Sequence, residues 1–195
     1  MERTHYTTDL PIQSVESAPP AGAKLLAGAQ EKLGFVPNMY GAMANLPALL
    51  QTYQVGYAGF RETAGFRPDE QETVFLAISY ENGCTYCLAA HSMLGEKMSQ
   101  VPADSLEALR EGRELPDPRL NALATFTRHL VRSGGRPGEA EVAAFREAGF
   151  EEVQILGIVL ALAVKTLSNY SNHLFATPVD EAFAGHRVEA TPARA

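Results

Sequence analysis

Cysteine is scarce in this chain: Cys84 and Cys87 are its only two among 195 residues. Two thiols cannot staple a small secreted scaffold, so a disulfide framework is excluded. In a reducing compartment a close cysteine pair points to catalysis, redox sensing or metal binding. Basic charge is scarce too. Sixteen Lys and Arg face twenty-three Asp and Glu, a net charge of −7, which leaves no basic face for nucleic acid. The first residues include Glu2, Arg3, His5 and Asp9 and carry no apolar run, so no signal peptide is visible. The longest apolar stretch, 155–164, is broken by Gly157 and falls short of the ~18 residues that cross a bilayer. It reads as a buried helix. The expectation is a cytoplasmic protein with neither membrane nor nucleic acid as partner. A period-two strand pattern is also lacking.

What is present is a 46% hydrophobic composition, enough for a core in one domain. Helical periodicity recurs between short Gly/Pro breaks. Pro11, Pro19 and Pro20 make 1–20 an arm, a single domain follows over 21–184, and 185–195 is expected to be a loose tail. Helices are expected at 21–33, ended by Gly34, and at 39–44, capped by Asn38. Pro47 opens the next, carrying Leu49, Leu50, Tyr53, Tyr57 and Phe60, and Gly65 ends it. Pro68 opens another, with Asp69, Glu70 and Glu72 near its start. Asn82-Gly83 is a turn, and a helix restarts close to Cys84 and runs to about 98. Further segments cover 106–111, 119–132, 139–148, 151–169 and a short 179–184. The fold class is all-α, a helical bundle with CxxC at the start of a helix. Residues 70–91 and 151–173 look faintly alike, as in an internal repeat.

Cys84 and Cys87 are three apart, so on a helix both sulfurs share a face. The turn before them puts the pair at a helix N-terminus, where free N–H groups and the dipole favour a thiolate. His91 lies one turn beyond Cys87 and could move its proton. Glu72 sits roughly 13 Å before the end of its helix and His91 roughly 12 Å into the next. In an antiparallel hairpin the two are level, so the carboxylate could orient the imidazole. The candidate relay is Glu72 to His91 to Cys87, with Cys84 resolving.

Blander readings stay open. Glu72 could serve only the helix dipole, His91 could be a packing histidine, and the cysteines two small buried hydrophobes. Glu81 is a rival carboxylate, read as a surface residue beside the turn. Tyr86 points away from the dithiol, as packing or a pocket wall. Zinc is the main chemical alternative, but Cys84, Cys87 and His91 lack a fourth ligand unless His129 or His173 arrives from afar.

The stretch QETVFLAISYENGCTYCLAAHS, residues 71–92, resembles the core of the AhpD-like, carboxymuconolactone decarboxylase superfamily, and within it the peroxidase-related members. The pattern is a glutamate, eleven residues, then Cys-x-x-Cys-x-x-x-His, met by Glu72, Cys84, Cys87 and His91. Leu33-Gly34-Phe35-Val36-Pro37-Asn38 and Pro47-Ala48-Leu49-Leu50 are similar to the N-terminal helices of that group. The resemblance implies an all-α, homo-oligomeric protein, a trimer, dimer or hexamer, acting as an alkylhydroperoxidase or disulfide reductase without a cofactor. It implies that Cys87 attacks a small hydroperoxide, Cys84 closes the disulfide, and an external dithiol or thioredoxin-like reductant reopens it. The departure is Tyr86, where the AhpD pattern has His. A redox-sensing binding protein and a decarboxylase-like enzyme are the alternatives.

Overall fold

The protein is represented by a computed structural model that describes residues 5–188; the outer parts of the expected arm and tail lie outside them. Among the described residues there are nine α-helices, one 3₁₀ helix and no strand. They are α1 Pro20–Leu33, α2 Asn38–Met43, α3 Pro47–Thr63, α4 Pro68–Glu81, α5 Thr85–Lys97, α6 Ala103–Glu111, α7 Pro118–Arg132, α8 Glu139–Glu147 and α9 Glu152–Phe175, then the 3₁₀ helix Glu181–His186. Proline stands in the first turn of α1, α3, α4 and α7, where its missing N–H costs nothing and its fixed φ favours the helix. Asp117 caps α7 by accepting from the N–H groups of Arg119 at 2.9 Å and Leu120 at 2.8 Å.

The organising element is α4. It packs against α5, α6, α7 and α9 and separates two apolar clusters. Val74, Phe75 and Ile78 belong to one, with α3 and α9, while Leu76 and Ala77 belong to the other, with α6 and α7. A helix covered on most sides is apolar nearly all round, which is why residues 74–78 run without a polar break. Gly83, at φ 69°, supplies the left-handed residue that the turn after α4 requires. Its N–H donates to the Tyr80 carbonyl at 3.0 Å, and the Cys84 N–H to the Ser79 carbonyl at 2.9 Å. The chain thereby doubles back, and α5 runs along α4.

The other long element, α9, lies against α2, α3, α4 and α5. At Gly157 an added Cβ would come within 2.9 Å of the Ala64 Cβ, so only glycine lets α9 approach the end of α3. The helix continues to Phe175, beyond the expected end at 169, because Ser168, Asn169, Ser171 and Asn172 are buried polar residues of its inner face and not the start of a loop. By length and composition α9 could cross a membrane. Its inner face, however, is covered by protein. Its outer face leaves Val153, Leu156, Val159, Tyr170 and Leu174 exposed. Because α9 is one continuous helix and 68–97 is a hairpin of two, their sequence likeness is not a structural repeat.

Two ends of the chain close over the bundle. In the N-terminal arm, the Gln13 N–H donates to the Gly41 carbonyl at 3.1 Å and the Thr8 N–H to the Leu174 carbonyl at 2.8 Å. The expected helix at 179–184 is the 3₁₀ turn two residues later. Residues past Gly185 are tied down as far as described, with His186 Nε2 2.5 Å from Glu96 Oε2. Asn38 does not cap α2, being its first residue. The cap comes from Asp180, whose Oδ1 accepts from the Asn38 N–H at 3.1 Å and whose Oδ2 accepts from the Tyr86 hydroxyl at 2.5 Å.

Asp180 therefore joins α2, α5 and the 3₁₀ helix through one carboxylate. Replacing it by Ala leaves the Tyr86 hydroxyl proton and the Asn38 N–H without acceptors, and should destabilise the protein by about 2–4 kcal/mol. Urea unfolding measures this, and a loss within experimental error of zero would show that the cap is dispensable.

Candidate active site

Cys84 is the N-cap of α5, and Cys87 lies in the first turn, where N–H groups are still unpaired. Both are free thiols and both are buried. The Asn172 side-chain amide, from α9, donates to Cys87 Sγ at 3.3 Å and reaches Cys84 Sγ at 3.8 Å, so one amide spans the pair. Lys165, two turns earlier on α9, is 0% exposed. Its Nζ lies 5.5 Å from the centre of the Phe75 ring, meets no nitrogen or oxygen acceptor among the described residues, and is near enough to Cys87 to favour its anion.

Glu72, 1% exposed, sits at the junction of three helices. His91 Nδ1 is 2.8 Å from its Oε2, and Arg61 Nη2 of α3 donates to its Oε1. The Arg61 guanidinium is held in turn by the Tyr57 hydroxyl at 2.6 Å and Gln71 Oε1 at 3.0 Å. It stacks 4.9 Å over Tyr57 and 5.0 Å over Phe75. The His91 ring lies 4.8 Å from the same Phe75 ring. A carboxylate facing Nδ1 selects the tautomer that carries the proton there, leaving Nε2 as a base.

The charges follow from this packing. Burial would raise the Glu72 carboxyl, but His91 and Arg61 outweigh it and hold Glu72 below the usual carboxylate value. Burial and then the Lys165 ammonium push His91 below its usual value, against the pull of Glu72. The two thiols diverge. Burial raises Cys84, and the neighbouring Cys87 raises it further. Burial would also raise Cys87, yet a hydrogen bond from Cys84, then the Lys165 ammonium and the neighbouring His91, carry it well below an ordinary thiol. The surroundings therefore favour the anion at Cys87 over Cys84.

A cavity of about 390 Å³ opens on this site. Cys87 and His91 form part of its wall, with Tyr40, Tyr53, Tyr57 and Tyr86. Cys84 is not on that wall. A molecule in the cavity meets Cys87 first, with Cys84 behind it.

The structure brings Glu72, His91, Cys84 and Cys87 together. Tyr86 is a pocket wall, as its placement off the dithiol face implied, and it also binds Asp180. Glu81 is corrected: it is buried, not a surface residue, and grips Arg132 of α7 at 2.8 and 2.6 Å. His129 lies 3.8 Å from Glu141. Among the described residues no group of three or more His, Cys, Asp or Glu is arranged to hold a metal ion. Sequence reasoning missed Arg61, Lys165 and Asn172. A signal for the last two existed: Lys165, Ser168, Asn169 and Asn172 follow the i, i+3, i+4, i+7 spacing of one helix face inside an otherwise apolar helix.

The same arrangement of helices occurs in solved structures. A peroxidase-related protein with an alkylhydroperoxidase AhpD core, from Ralstonia eutropha JMP134, superposes with a TM-score of 0.78 at 23% identity, over 92% of this chain and 96% of that one. The chain has the AhpD-like fold. A peroxidase-related protein from Silicibacter sp. TM1040 matches with a TM-score of 0.76 at 24% identity, covering 94% and 96%. A cysteine-to-alanine variant of the debrominase Bmp8, in complex with 2,3,4-tribromopyrrole, matches with a TM-score of 0.72 at 16% identity, covering 92% and 95%. No protein-family model matches the chain, and no curated protein matches it in sequence.

The split between the thiols is directly measurable. Iodoacetamide at pH 7 should label Cys87 and spare Cys84, with Cys87 labelling half-maximal well below ~8.5, the pH of an ordinary thiol. Peptide mapping by mass spectrometry reads the site. Preferential labelling of Cys84 would reverse the assignment.

Proposed function

We propose that this AhpD-like protein is a cofactor-independent dithiol oxidoreductase that reduces organic hydroperoxides through Cys84 and Cys87. The observation that carries this reading is the asymmetry of the pair: the thiol on the cavity wall is the one whose neighbours favour its anion. The Cys87 thiolate attacks the terminal oxygen of ROOH, and the O–O bond breaks. Cys87 becomes a sulfenic acid, and the leaving RO⁻ takes up the proton that Cys87 lost, carried by His91. The Cys84 thiol then attacks the sulfenic sulfur, forming the disulfide and releasing water. The sum is ROOH plus two thiols giving ROH, water and a disulfide. An external dithiol or thioredoxin-like reductant reopens the disulfide by exchange, which fits a cytoplasmic setting.

The aromatic wall of the cavity favours a second reading. Bmp8 is a debrominase, and a dithiol can also reduce a bromoarene: ArBr plus two thiols gives ArH, HBr and a disulfide. Rates for a hydroperoxide and a bromopyrrole, measured side by side with the same reductant, separate the two. The exposed Val153, Leu156 and Val159 row on α9 belongs, in this proposal, to a homo-oligomer interface. Sedimentation at micromolar concentration should show a dimer, trimer or hexamer, and a monomer would contradict it.

Turnover of cumene hydroperoxide with a dithiol reductant tests the function through the relay. His91→Ala should slow it by about 10²–10⁴-fold. Glu72→Gln should slow it less, since the amide still bonds His91. The double variant should be little worse than His91→Ala, because the two act in one chain. Glu81→Gln should lower stability through Arg132 and leave turnover near the parent rate. Full activity in the double variant would remove the relay from the mechanism.

A further inference from the structure

Among the described residues no carboxylate pairs with Lys165. The buried acids there are all engaged. Glu72 is shared between Arg61 and His91, and Glu70 between the Arg67 N–H and the Arg119 guanidinium. Glu81 holds Arg132, and Asp180 holds Tyr86 and Asn38. Lys165 is the one lysine among the described residues that is buried, at 0% exposure, and its Nζ meets no nitrogen or oxygen acceptor there. A buried ammonium without an anion is strongly unfavourable. What faces it is the dithiol. Lys165 lies on the α9 face whose Asn172 contacts both sulfurs, and its Nζ rests on the Phe75 ring that also carries His91.

We propose that Lys165 is a positioning residue whose ammonium is the counter-charge of the Cys87 thiolate, and that it makes the Cys84/Cys87 pair strongly oxidising. The proposal rests on the dithiol reading above. In the reduced protein the site holds Cys87–S⁻, Cys84–SH and Lys165–NH₃⁺. When a disulfide oxidant such as oxidised glutathione closes the pair, two electrons pass to it and the Cys87–Cys84 bond forms. Lys165 then faces a neutral disulfide and has lost its counter-anion. Two molecules of reduced glutathione form, one taking its proton from Cys84 and the other from solvent. Every contact that stabilises the thiolate is lost in this step, so Lys165 favours the reduced form. The other groups around the thiolate are Cys84, Tyr86 and His91 on α5, Glu72 on α4, Arg61, Tyr53 and Tyr57 on α3, and His173 on α9. Arg61 is paired with Glu72 and burial holds His91 low, which leaves Lys165 as the cation without a carboxylate partner beside the thiols.

The test uses Lys165→Met, which keeps length and burial and removes charge, with Lys165→Gln as a second variant. In a Cys84→Ser background only one thiol remains, and its thiolate absorbance is followed against pH. Loss of Lys165 should move the onset of the Cys87 thiolate upward by at least one pH unit. In the two-cysteine protein, equilibrated with reduced and oxidised glutathione, the disulfide should become at least tenfold more favoured, a shift of about 30 mV to more reducing potential. A purely structural lysine would lower stability and leave both readouts in place. An unmoved titration together with a glutathione equilibrium within twofold of the parent overturns the proposal. A parent protein that never closes its disulfide would sink the dithiol reading instead, and the single-thiol titration would still decide what Lys165 does.

Discussion

The Glu72 carboxylate is the constraint on which the rest of the molecule turns. An ionised acid at 1% exposure is tolerated only when its charge and lone pairs are met. Here they are met by Arg61 from α3 and His91 from α5, so a single group fixes the mutual placement of three helices. That requirement explains neighbouring choices. The turn at Gly83 must bring α5 back at one height along α4, or His91 would miss the carboxylate. Phe75 must lie flat enough to carry Arg61 and His91 on its ring. Tyr57 stacks on Phe75 at 5.4 Å and completes the wall. Removing one partner of such a set strands a buried charge and costs about 3–5 kcal/mol.

The charge on Glu72 also has a consequence for pH. Its carboxyl is held low and His91 is pushed low, so the folded state binds fewer protons than the unfolded chain at both groups. Each therefore stabilises the fold above its unfolded pKa and loses that contribution as pH falls through its folded one. The first loss begins near the usual histidine value, about 6.5, and the second below the usual carboxylate value. Acid thus acts against the relay and the fold together. The dithiol behaves differently, because one thiol is depressed and the other raised, which makes the pair an acid and a base side by side.

Much of this was legible from spacing alone. Helix starts were marked by Pro47 and Pro68, and the level placement of Glu72 and His91 followed from rise per residue and a tight turn. The misses share a cause: partners distant in sequence. Glu81 looked like a surface residue because its partner, Arg132, lies fifty-one positions on. Asn38 looked like a cap because the true cap, Asp180, lies 142 positions away. Lys165 was hidden at the end of an apolar run, where one charge reads as noise until the opposing helix is known to carry two thiols. Local propensity dictates where helices begin, and it carries no information about which buried charges they exchange.

The central claim is that the thiol at the cavity wall attacks and the one behind it resolves. One equivalent of an organic hydroperoxide added to each reduced protein, with intact-mass and peptide analysis, tests it most directly. The account predicts loss of two hydrogens in the parent protein, one added oxygen on Cys87 in Cys84→Ser, and no change in Cys87→Ser. Oxidation of Cys84 in the Cys87→Ser protein, with Cys84→Ser inert, would contradict it.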